Sequence, residues 1–140
     1  MELLAPAGTS ENFLAALEAG ADAIYLGGKA FNARANAANF EIEELAEAVR
    51  LAHLLDVSVF VTVNILIGDA ELNDLKEYLR ELERINVDAI IVQDLALAEL
   101  AKRVAPKLHL HASTQLTATN MGTVRFLERM GLPVLCWLVK

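Results

Sequence analysis

Amide, hydroxyl and imidazole side chains follow several short apolar segments of this 140-residue chain. Carboxylates are scarce at these positions, which disfavours a pair of carboxylates acting as general acid and general base. Amides and hydroxyls instead suit the binding of a polar ligand that is anionic or planar. The residues expected to bind it are Arg34, Asn39, Asn64, Gln93, His111 and Gln115. No catalytic residue is assigned from the sequence.

Arg34 lies in the longest polar segment, which runs from Gly27 to Phe40. A connection between a strand and a helix usually has about 2–6 residues, so this one is long. Its glycines, Gly27 and Gly28, allow a positive φ or a close approach of a ligand to the backbone. Arg34 could bind a carboxylate or phosphate through two hydrogen bonds, or it could be a surface arginine of an ordered loop.

His109 and His111 alternate with leucines, so their imidazoles are expected on one face of a strand. Such a pair can ligate a metal ion. The remaining histidine, His53, is expected on a helix far from them. We therefore predict no metal site and expect His111 to act as a hydrogen-bonding residue at the edge of the sheet.

Three further positions each have two interpretations. Asp94 directly follows an apolar segment and is either catalytic or the N-cap of the next helix. The segment Ser113-Thr114-Gln115 either caps a helix or contacts the ligand. Cys136 has no base nearby in the sequence, so a buried structural thiol is expected rather than a nucleophile.

The elements that position these residues are short apolar strands separated by helices. Strands buried on both faces of a parallel sheet lack an alternation of polar and apolar residues, and most of the candidate strands lack it. Apolar residues spaced by three or four positions, as in Leu72, Leu75, Leu79 and Leu82, predict the intervening helices. The predicted strands cover residues 2–5, 23–26, 57–62, 89–92, 108–110 and 134–138.

A degenerate repeat joins helices to strands at four places. In each repeat a helix ends at a residue that adopts the left-handed conformation at low cost, and an apolar residue and a strand follow. The helix-ending residues are Gly20, Asp56, Asn86 and Gly131. Repeated strand–helix–strand units form right-handed crossovers, which predicts a parallel sheet.

Such a sheet either stays open or closes into a barrel. No GxGxxG motif follows the first strand, and polar residues follow nearly every strand, as in the loops of a barrel. A complete (β/α)8 barrel needs eight strands and about 250 residues. We therefore predict an α/β fold in which residues 1–140 form one incomplete domain. This domain is the N-terminal portion of a TIM-type barrel with five to six parallel strands.

The composition excludes several other classes of protein. Hydrophobic residues make up 55% of the chain and charged residues 22%, which excludes a disordered protein. The formal net charge is −7, and no segment is basic enough to bind nucleic acid by itself. The single cysteine excludes a disulfide framework. Without a transmembrane run or a signal-peptide pattern, a cytoplasmic protein that does not bind membranes is expected.

Six motifs occur in a fixed order between Met1 and about Leu132. They are Met1-Glu2-Leu3-Leu4-Ala5-Pro6-Ala7-Gly8, Gly20-Ala21-Asp22-Ala23-Ile24-Tyr25-Leu26-Gly27-Gly28, Phe31-Asn32-Ala33-Arg34, Ala38-Asn39-Phe40, Val92-Gln93-Asp94 and His111-Ala112-Ser113-Thr114-Gln115. This set resembles the N-terminal part of the collagenase-like peptidases, a family of formerly unknown catalytic type. The resemblance implies a TIM-type barrel at the start of a longer protein.

The resemblance also implies what the longer protein does. Members of the family are named peptidases, and several act in the hydroxylation of tRNA, rRNA or a quinone precursor. The hydroxylating members are associated with prephenate and with an iron–sulfur cluster held by four cysteines, which would lie beyond residue 140. The candidate binding residues are therefore expected to take a small anionic, prephenate-like ligand or a peptide. RNA is expected to bind only through downstream regions.

The function expected for the chain follows from this resemblance. We expect an N-terminal fragment of a protein that acts in tRNA or rRNA hydroxylation, inactive by itself. The alternatives are a protease, although no Ser–His–Asp or HExxH arrangement is apparent, and a non-catalytic half-barrel that binds another protein. Uncovered strand edges predict that the fragment associates with itself.

The family pattern is lost near Pro133. Where members continue with a segment like Arg-Val-Val-Leu-Ala-Arg-Glu, this chain reads Pro133-Val134-Leu135-Cys136-Trp137-Leu138-Val139-Lys140. One possible coding of these residues, read in a neighbouring frame, encodes that family segment in full. A lost base near Pro133 is the favoured explanation. The alternatives are a genuinely divergent terminus and an artificially cut chain.

Overall fold

A computed structural model describes residues 2–33 and 39–133 of the chain. Within these ranges, five strands alternate with five α-helices. Two short 3-10 helices, Asp69–Glu71 and Thr114–Leu116, lie in the connections. The elements are β1 (Leu4–Ala7), α1 (Ser10–Glu18), β2 (Ala23–Gly27), α2 (Ile42–His53), β3 (Ser58–Val63), α3 (Leu72–Arg84), β4 (Ala89–Val92), α4 (Leu95–Val104), β5 (His109–Ala112) and α5 (Met121–Arg129).

The five strands form one parallel sheet in the order β1-β2-β3-β4-β5. Each strand therefore pairs with the strand that precedes it in the sequence. Five parallel strands joined by helices confirm the predicted α/β fold. The sequential order is that of a barrel, whereas in a doubly wound sheet the strand order reverses.

All five helices pack against the same face of the sheet. The main core joins helix residues such as Phe13, Leu45 and Leu79 to every second strand residue, including Val61 and Ile90. The intervening strand residues point to the opposite face, because side chains alternate along a strand. On that face, called the inner face below, a small second cluster forms. Its members are Ala23, Phe60, Ala89 and Ile91, with Leu4 and Tyr25 packed against them.

The predicted helix ends are confirmed at all four repeats. Gly20, Asp56, Asn86 and Gly131 have positive φ angles of 78°, 57°, 60° and 72°. At each position the backbone N–H of the following residue donates to a carbonyl of the preceding helix, over 2.8–3.2 Å. These are the hydrogen bonds of a Schellman ending, which stops the helix and turns the chain into the next strand.

The strand boundaries differ slightly from the prediction. β1 begins two residues later than expected and includes Pro6, which has no N–H to donate. Pro6 is tolerated because β1 pairs only with β2 among the described strands. β5 likewise extends two residues further, to Ala112. The predicted sixth strand lies outside the described residues, and no described helix is long and apolar enough to cross a membrane.

Candidate functional site

A cavity of about 280 Å³ opens at the carboxyl ends of the strands. Its walls combine apolar strand residues with amides and hydroxyls from the loops that follow the strands. The residues that line it are Pro6, Ala7, Gly8, Tyr25, Leu26, Gly27, Asn32, Ala33, Asn39, Thr62, Asn64, Ile91, Ala112, Ser113, Thr114 and Gln115. Residues far apart in the sequence meet here because parallel strands end at the same edge of the sheet.

Asn32 is the most buried amide of this cavity, with only 8% of its surface exposed. Its Nδ2 donates to Asn39 Oδ1 over 2.9 Å. Thr62 Oγ1 lies 3.3 Å from both Asn32 Oδ1 and the carbonyl oxygen of Leu26, and these two acceptors share its single O–H donor. Both ends of the Asn32 amide are thereby engaged, which fixes its orientation and that of Asn39.

The two consecutive glycines at the end of β2 make room for side chains. A methyl group on Gly27 would lie 2.0 Å from Asn32 Nδ2, and one on Gly28 would lie 2.1 Å from the hydroxyl of Tyr78. Neither glycine has a positive φ. The expectation of a positive φ at these glycines is therefore wrong, and the room that they leave is filled by Asn32 and Tyr78. Close approach of a ligand to Gly27, which lines the cavity, stays a prediction.

Tyr78 supports the loop between β2 and α2 from the helical side. Its ring lies 5.6 Å from that of Phe31, at an interplanar angle of 44°. Its hydroxyl is buried without a hydrogen-bond partner in the described structure, and burial raises the pKa of the phenol. Tyr78 therefore acts as a packing residue that holds the start of the loop.

The base of the same loop is closed by the backbone. Phe40 N–H donates to the Gly27 carbonyl over 2.9 Å, and Lys29 N–H donates to the Phe40 carbonyl over 3.1 Å. Lys29 also forms an ion pair with Glu41, the N-cap of α2. The two described ends of the loop are thus fastened together, with Asn32 and Asn39 at the cavity.

Asn64 and Ser113 lie at the ends of β3 and β5. Asn64 Oδ1 accepts a hydrogen bond from Ala33 N–H over 3.2 Å, so it also ties down the β2–α2 loop. Ser113 Oγ accepts from Gln115 N–H over 3.2 Å and caps the 3-10 helix Thr114–Leu116. The same Ser113-Thr114-Gln115 segment lines the cavity, so the two interpretations given for it are compatible.

Asp94 is the N-cap of α4. Its Oδ1 accepts hydrogen bonds from the N–H groups of Ala96 and Leu97 over 2.8 and 3.2 Å. Its Oδ2 accepts from Ile67 N–H over 3.2 Å. Three backbone donors occupy this carboxylate, and Asp94 does not line the cavity. Of its two interpretations, the structure supports the helix cap.

His111 lies on the inner face, in register with Ile91 of β4. Its ring packs edge-on against Phe60, with the ring centroids 4.8 Å apart at an angle of 83°. Nδ1 is buried and has no partner among the described residues, so the expected hydrogen bond is not made at that atom. Burial lowers the pKa of His111, and the neighbouring His109 lowers it further.

His53 lies at the opposite end of the sheet, as expected. Its Nε2 is 2.9 Å from Asp88 Oδ2, which also accepts a hydrogen bond from Val59 N–H over 2.7 Å. Val59 and Asp88 lie at the amino ends of β3 and β4 and His53 ends α2, so all three are away from the cavity. In the described ranges, no group of three histidine, cysteine, aspartate or glutamate side chains could hold a metal ion.

The structure gathers half of the predicted binding residues in the cavity. Asn39, Asn64 and Gln115 line it. His111 and Gln93 do not, although His111 pairs in register with the lining residue Ile91. Arg34 lies outside the described residues, so its role stays a prediction.

Asn32, Thr62 and Tyr25 line the cavity but were not among the predicted binding residues. Thr62 and Tyr25 lie within strands, so their place at the cavity follows only from the alternation of faces once the sheet is known. The signal for Asn32 was its position in the long loop after Gly27, where it resembled its polar neighbours. Its burial depends on contacts with β3, which the sequence did not reveal.

Fold and site together define an α/β protein of the (β/α)-barrel type, with a cavity at the carboxyl ends of its strands. The chain belongs to peptidase family U32, which residues 8–136 match. The iron–sulfur cluster implied by the family resemblance needs four cysteines, and this chain has one. The residues of this chain do not fit such a cluster, because they supply only one of the four cysteine ligands.

Relatives of the chain include RNA-modifying proteins and a protease. It is 42% identical to tRNA hydroxylation protein P1 of Bacillus subtilis (strain 168), over 94% of this chain and 31% of that protein. It is 39% identical to the 23S rRNA 5-hydroxycytidine C2501 synthase of Escherichia coli (strain K12), over 94% of this chain and 19% of that protein. It is 33% identical to a collagenase of Porphyromonas gingivalis, over 91% of this chain and 31% of that protein. The chain thus spans less than a third of the length of these relatives.

Solved structures agree on the fold. The structure of the U32 peptidase Mk0906 superposes with a TM-score of 0.72 at 17% identity, over 94% of this chain and 56% of that chain. An HpcH/HpaI aldolase from Desulfitobacterium hafniense DCB-2 superposes with a TM-score of 0.51 at 14% identity, over 92% of this chain and 49% of that chain. At these identities the likeness concerns the fold alone.

Proposed function

We propose that this chain forms a ligand-binding cavity of a U32-family protein that acts in the hydroxylation of tRNA or rRNA. The observation that carries the proposal is the convergence of amides from three loops on one cavity at the carboxyl ends of the strands. Active sites of (β/α) barrels lie at this end. The reaction, RNA hydroxylation, is taken from the names of the relatives that are 42% and 39% identical to this chain.

The chain's own residues bind and orient the substrate in this proposal. Asn64 and Gln115 supply amide groups at the rim, and the Asn32–Asn39–Thr62 network holds the wall between them. Apolar residues such as Ile91 exclude water from the floor. Arg34 would add a cation for a carboxylate ligand such as a prephenate-like acid. The oxidative chemistry belongs to parts of the longer protein that carry its cofactor.

Peptidase activity is the second candidate, because the family and one relative are named for it. Two of the hydroxyls at the cavity, however, already have structural roles. Thr62 Oγ1 donates to Leu26 and Asn32, and Ser113 Oγ caps a 3-10 helix. A nucleophile would need a base within about 2.6–3.2 Å of its hydroxyl. In the described part of the chain, Thr62 and Ser113 bond to backbone and amide groups rather than to a histidine. Substrate binding for hydroxylation is therefore favoured.

Deleting the gene and measuring hydroxylated nucleosides tests the proposal. Digested tRNA and rRNA from the deletion strain would be compared with wild-type RNA by mass spectrometry. We expect one hydroxylated pyrimidine to be lost, restored by the intact gene and by a gene carrying Asn73→Ala, and not restored by one carrying Asn64→Ala. Asn73 is an exposed amide of α3 that does not line the cavity. Unchanged RNA together with lost proteolysis would favour the peptidase.

A further inference from the structure

The two ends of the described sheet carry charges of opposite sign. Residues 2–22, which include β1 and α1, contain four carboxylates and no lysine or arginine. Residues 100–133, which include the second half of α4, β5 and α5, contain five lysines or arginines and one carboxylate. Because β1 and β5 are the outermost described strands, the chain has an acidic end and a basic end in spite of its formal net charge of −7.

One face of α1 presents the charge of the acidic end. Glu11, Leu14 and Glu18 are exposed and are spaced by three and four residues, so they share a face of the helix. The opposite face buries Phe13 and Ala16 against the core. Neither glutamate forms an ion pair within the described part of the chain. This α1 face therefore has an apolar side chain between two carboxylates that are not neutralised.

One face of α5 has the same construction with the opposite charge. Arg125, Phe126 and Arg129 are exposed on the side of the helix away from the buried Val124 and Leu127. Among the residues that the structure describes, neither arginine has an ion-pair partner. The exposed arginines of α2 and α3, by contrast, each pair with a glutamate three residues earlier in the same helix. The guanidinium groups of this α5 face can therefore bind carboxylates of another molecule.

We propose that the α5 face of one copy of this chain docks on the α1 face of a second copy. Phe126 packs on Leu14 of the second copy, and the two arginines pair with its two glutamates. A guanidinium binds a carboxylate through two parallel hydrogen bonds, and complementary charges fix the register of an interface. The interface uses helix faces and does not involve the cavity, so the inference does not depend on the proposed function.

The contact joins different faces of the two copies, which makes it heterologous. An isologous contact, α1 on α1 or α5 on α5, would place like charges together, and such contacts are unfavourable. After two copies have joined, one α1 face and one α5 face stay uncovered, and further copies can bind there. The chain therefore forms a series of oligomers rather than a dimer of one fixed size.

Sedimentation equilibrium of charge-swapped variants tests the contact. The 140-residue chain is compared with Arg125→Glu/Arg129→Glu, with Glu11→Lys/Glu18→Lys and with a variant that carries all four changes, in about 50 mM NaCl, where screening is weak. We expect each two-residue swap to raise the apparent Kd of association about tenfold or more. The four-residue swap should restore association, because it reverses the charge on both faces. In about 1 M NaCl the Debye length falls to about 3 Å, so the wild-type chain should associate less.

A mixture of the two two-residue variants is a second measurement that does not need the four-residue variant to fold. Each variant alone places like charges at the contact, whereas the mixture offers faces of opposite charge, so association should return in the mixture. Arg80→Glu/Arg84→Glu is the matched control, because it makes the same change in net charge at the same spacing on α3. These arginines already pair within their helix, so this swap should change the Kd much less.

Four results would overturn the inference. A wild-type chain that is monomeric at low salt would show that the two faces do not bind each other. Association that returns neither in the mixture nor in the four-residue variant, while urea unfolding is like that of the wild type, would show that the faces are not partners. An equal effect of the α3 swap would assign the result to net charge alone. Binding of a labelled RNA that Arg125→Glu/Arg129→Glu abolishes, with sedimentation unchanged, would assign the α5 face to nucleic acid.

Discussion

Because Gly27 has no side chain, the Asn32 amide has room in the wall of the cavity. We expect Gly27→Ala to push the Asn32 amide away, since the new methyl group would lie 2.0 Å from Nδ2. The hydrogen bonds to Asn39 and Thr62 would then be lost inside a buried site. Leaving a buried polar group without a partner costs about 1–3 kcal/mol, so the free energy of unfolding in urea should fall by that amount.

Gly8→Ala is the matched control, because Gly8 also lines the cavity but a methyl group there meets nothing within 4 Å. Its free energy of unfolding should stay within about 0.5 kcal/mol of the wild-type value. Equal losses in the two variants would show that the Asn32 network does not depend on Gly27.

His111 should make the stability of the chain depend on pH. Burial, and secondly His109, lower its pKa below the ordinary value of 6.5. The unfolded chain then binds a proton at a higher pH than the folded chain does. Stability rises with pH wherever the unfolded state holds more protons. The free energy of unfolding should therefore fall as the pH drops from about 8 through 6.5, and level off below the folded pKa.

His111→Gln removes this titration, so its unfolding free energy should change less over the same range. Urea unfolding at a series of pH values measures both slopes, and NMR titration of the His111 ring locates the folded pKa. A variant with the same slope as the wild type, or a ring that titrates above 6.5, would contradict the assignment.

At the scale of the elements, the left-handed residues that end the helices set where each strand begins. Asn86 has a φ of 60°, a conformation that costs most residues about 1–2 kcal/mol and glycine almost nothing. We expect Asn86→Ala to lower the free energy of unfolding by about 1 kcal/mol and Asn86→Gly to leave it nearly unchanged. Asn73→Ala, on the exposed face of α3, controls for loss of an amide. Equal stability of the two Asn86 variants would show that the conformation does not matter.

These helix ends could be predicted because their cause is local. A glycine, asparagine or aspartate carries its own preference for positive φ, whatever the rest of the chain does. The order of strands and helices followed from the same repeats. The start of β1 could not be predicted in this way, because Pro6 is tolerated only at a position with no partner on one side, and the neighbours of a strand are a tertiary property.

Some of the candidate binding residues could likewise be predicted from the local sequence, and others depend on tertiary contacts. Asn39, Asn64 and Gln115 follow strands or belong to the long loop, so their position near one edge of the sheet could be predicted. Asn32 and Thr62 are joined by a hydrogen bond across 30 residues, and nothing in the local sequence of either indicates the other. That Nδ1 of His111 finds no partner among the described residues could not be predicted either, since it depends on packing against Phe60 of another strand.

At the scale of the whole molecule, the outermost helices leave apolar residues uncovered. Leu14 on α1 is 49% exposed and Phe126 on α5 is 47% exposed. α1 and α5 follow the first and last described strands of the sheet. Apolar side chains exposed beside sheet edges promote association, so we expect the 140-residue chain to form oligomers as its concentration rises, as measured by sedimentation.

Leu14→Lys together with Phe126→Lys should shift this equilibrium toward the monomer. Leu66→Lys is the control, because Leu66 is 70% exposed but lies in the connection between β3 and α3. A wild-type chain that stays a single monomeric species and unfolds in one cooperative thermal transition would contradict the prediction.

The sequential order of the sheet has a consequence for how the protein is made. From β2 onward, each described strand pairs with the one synthesised just before it, so it finds a neighbour that has already left the ribosome. Contacts between neighbouring units keep sequence separations short, which favours rapid folding, and domains fold from the N-terminus during synthesis. The sheet can therefore assemble one unit at a time as translation proceeds, and a longer U32 chain can add its later strands at the β5 edge without breaking any pairing already formed.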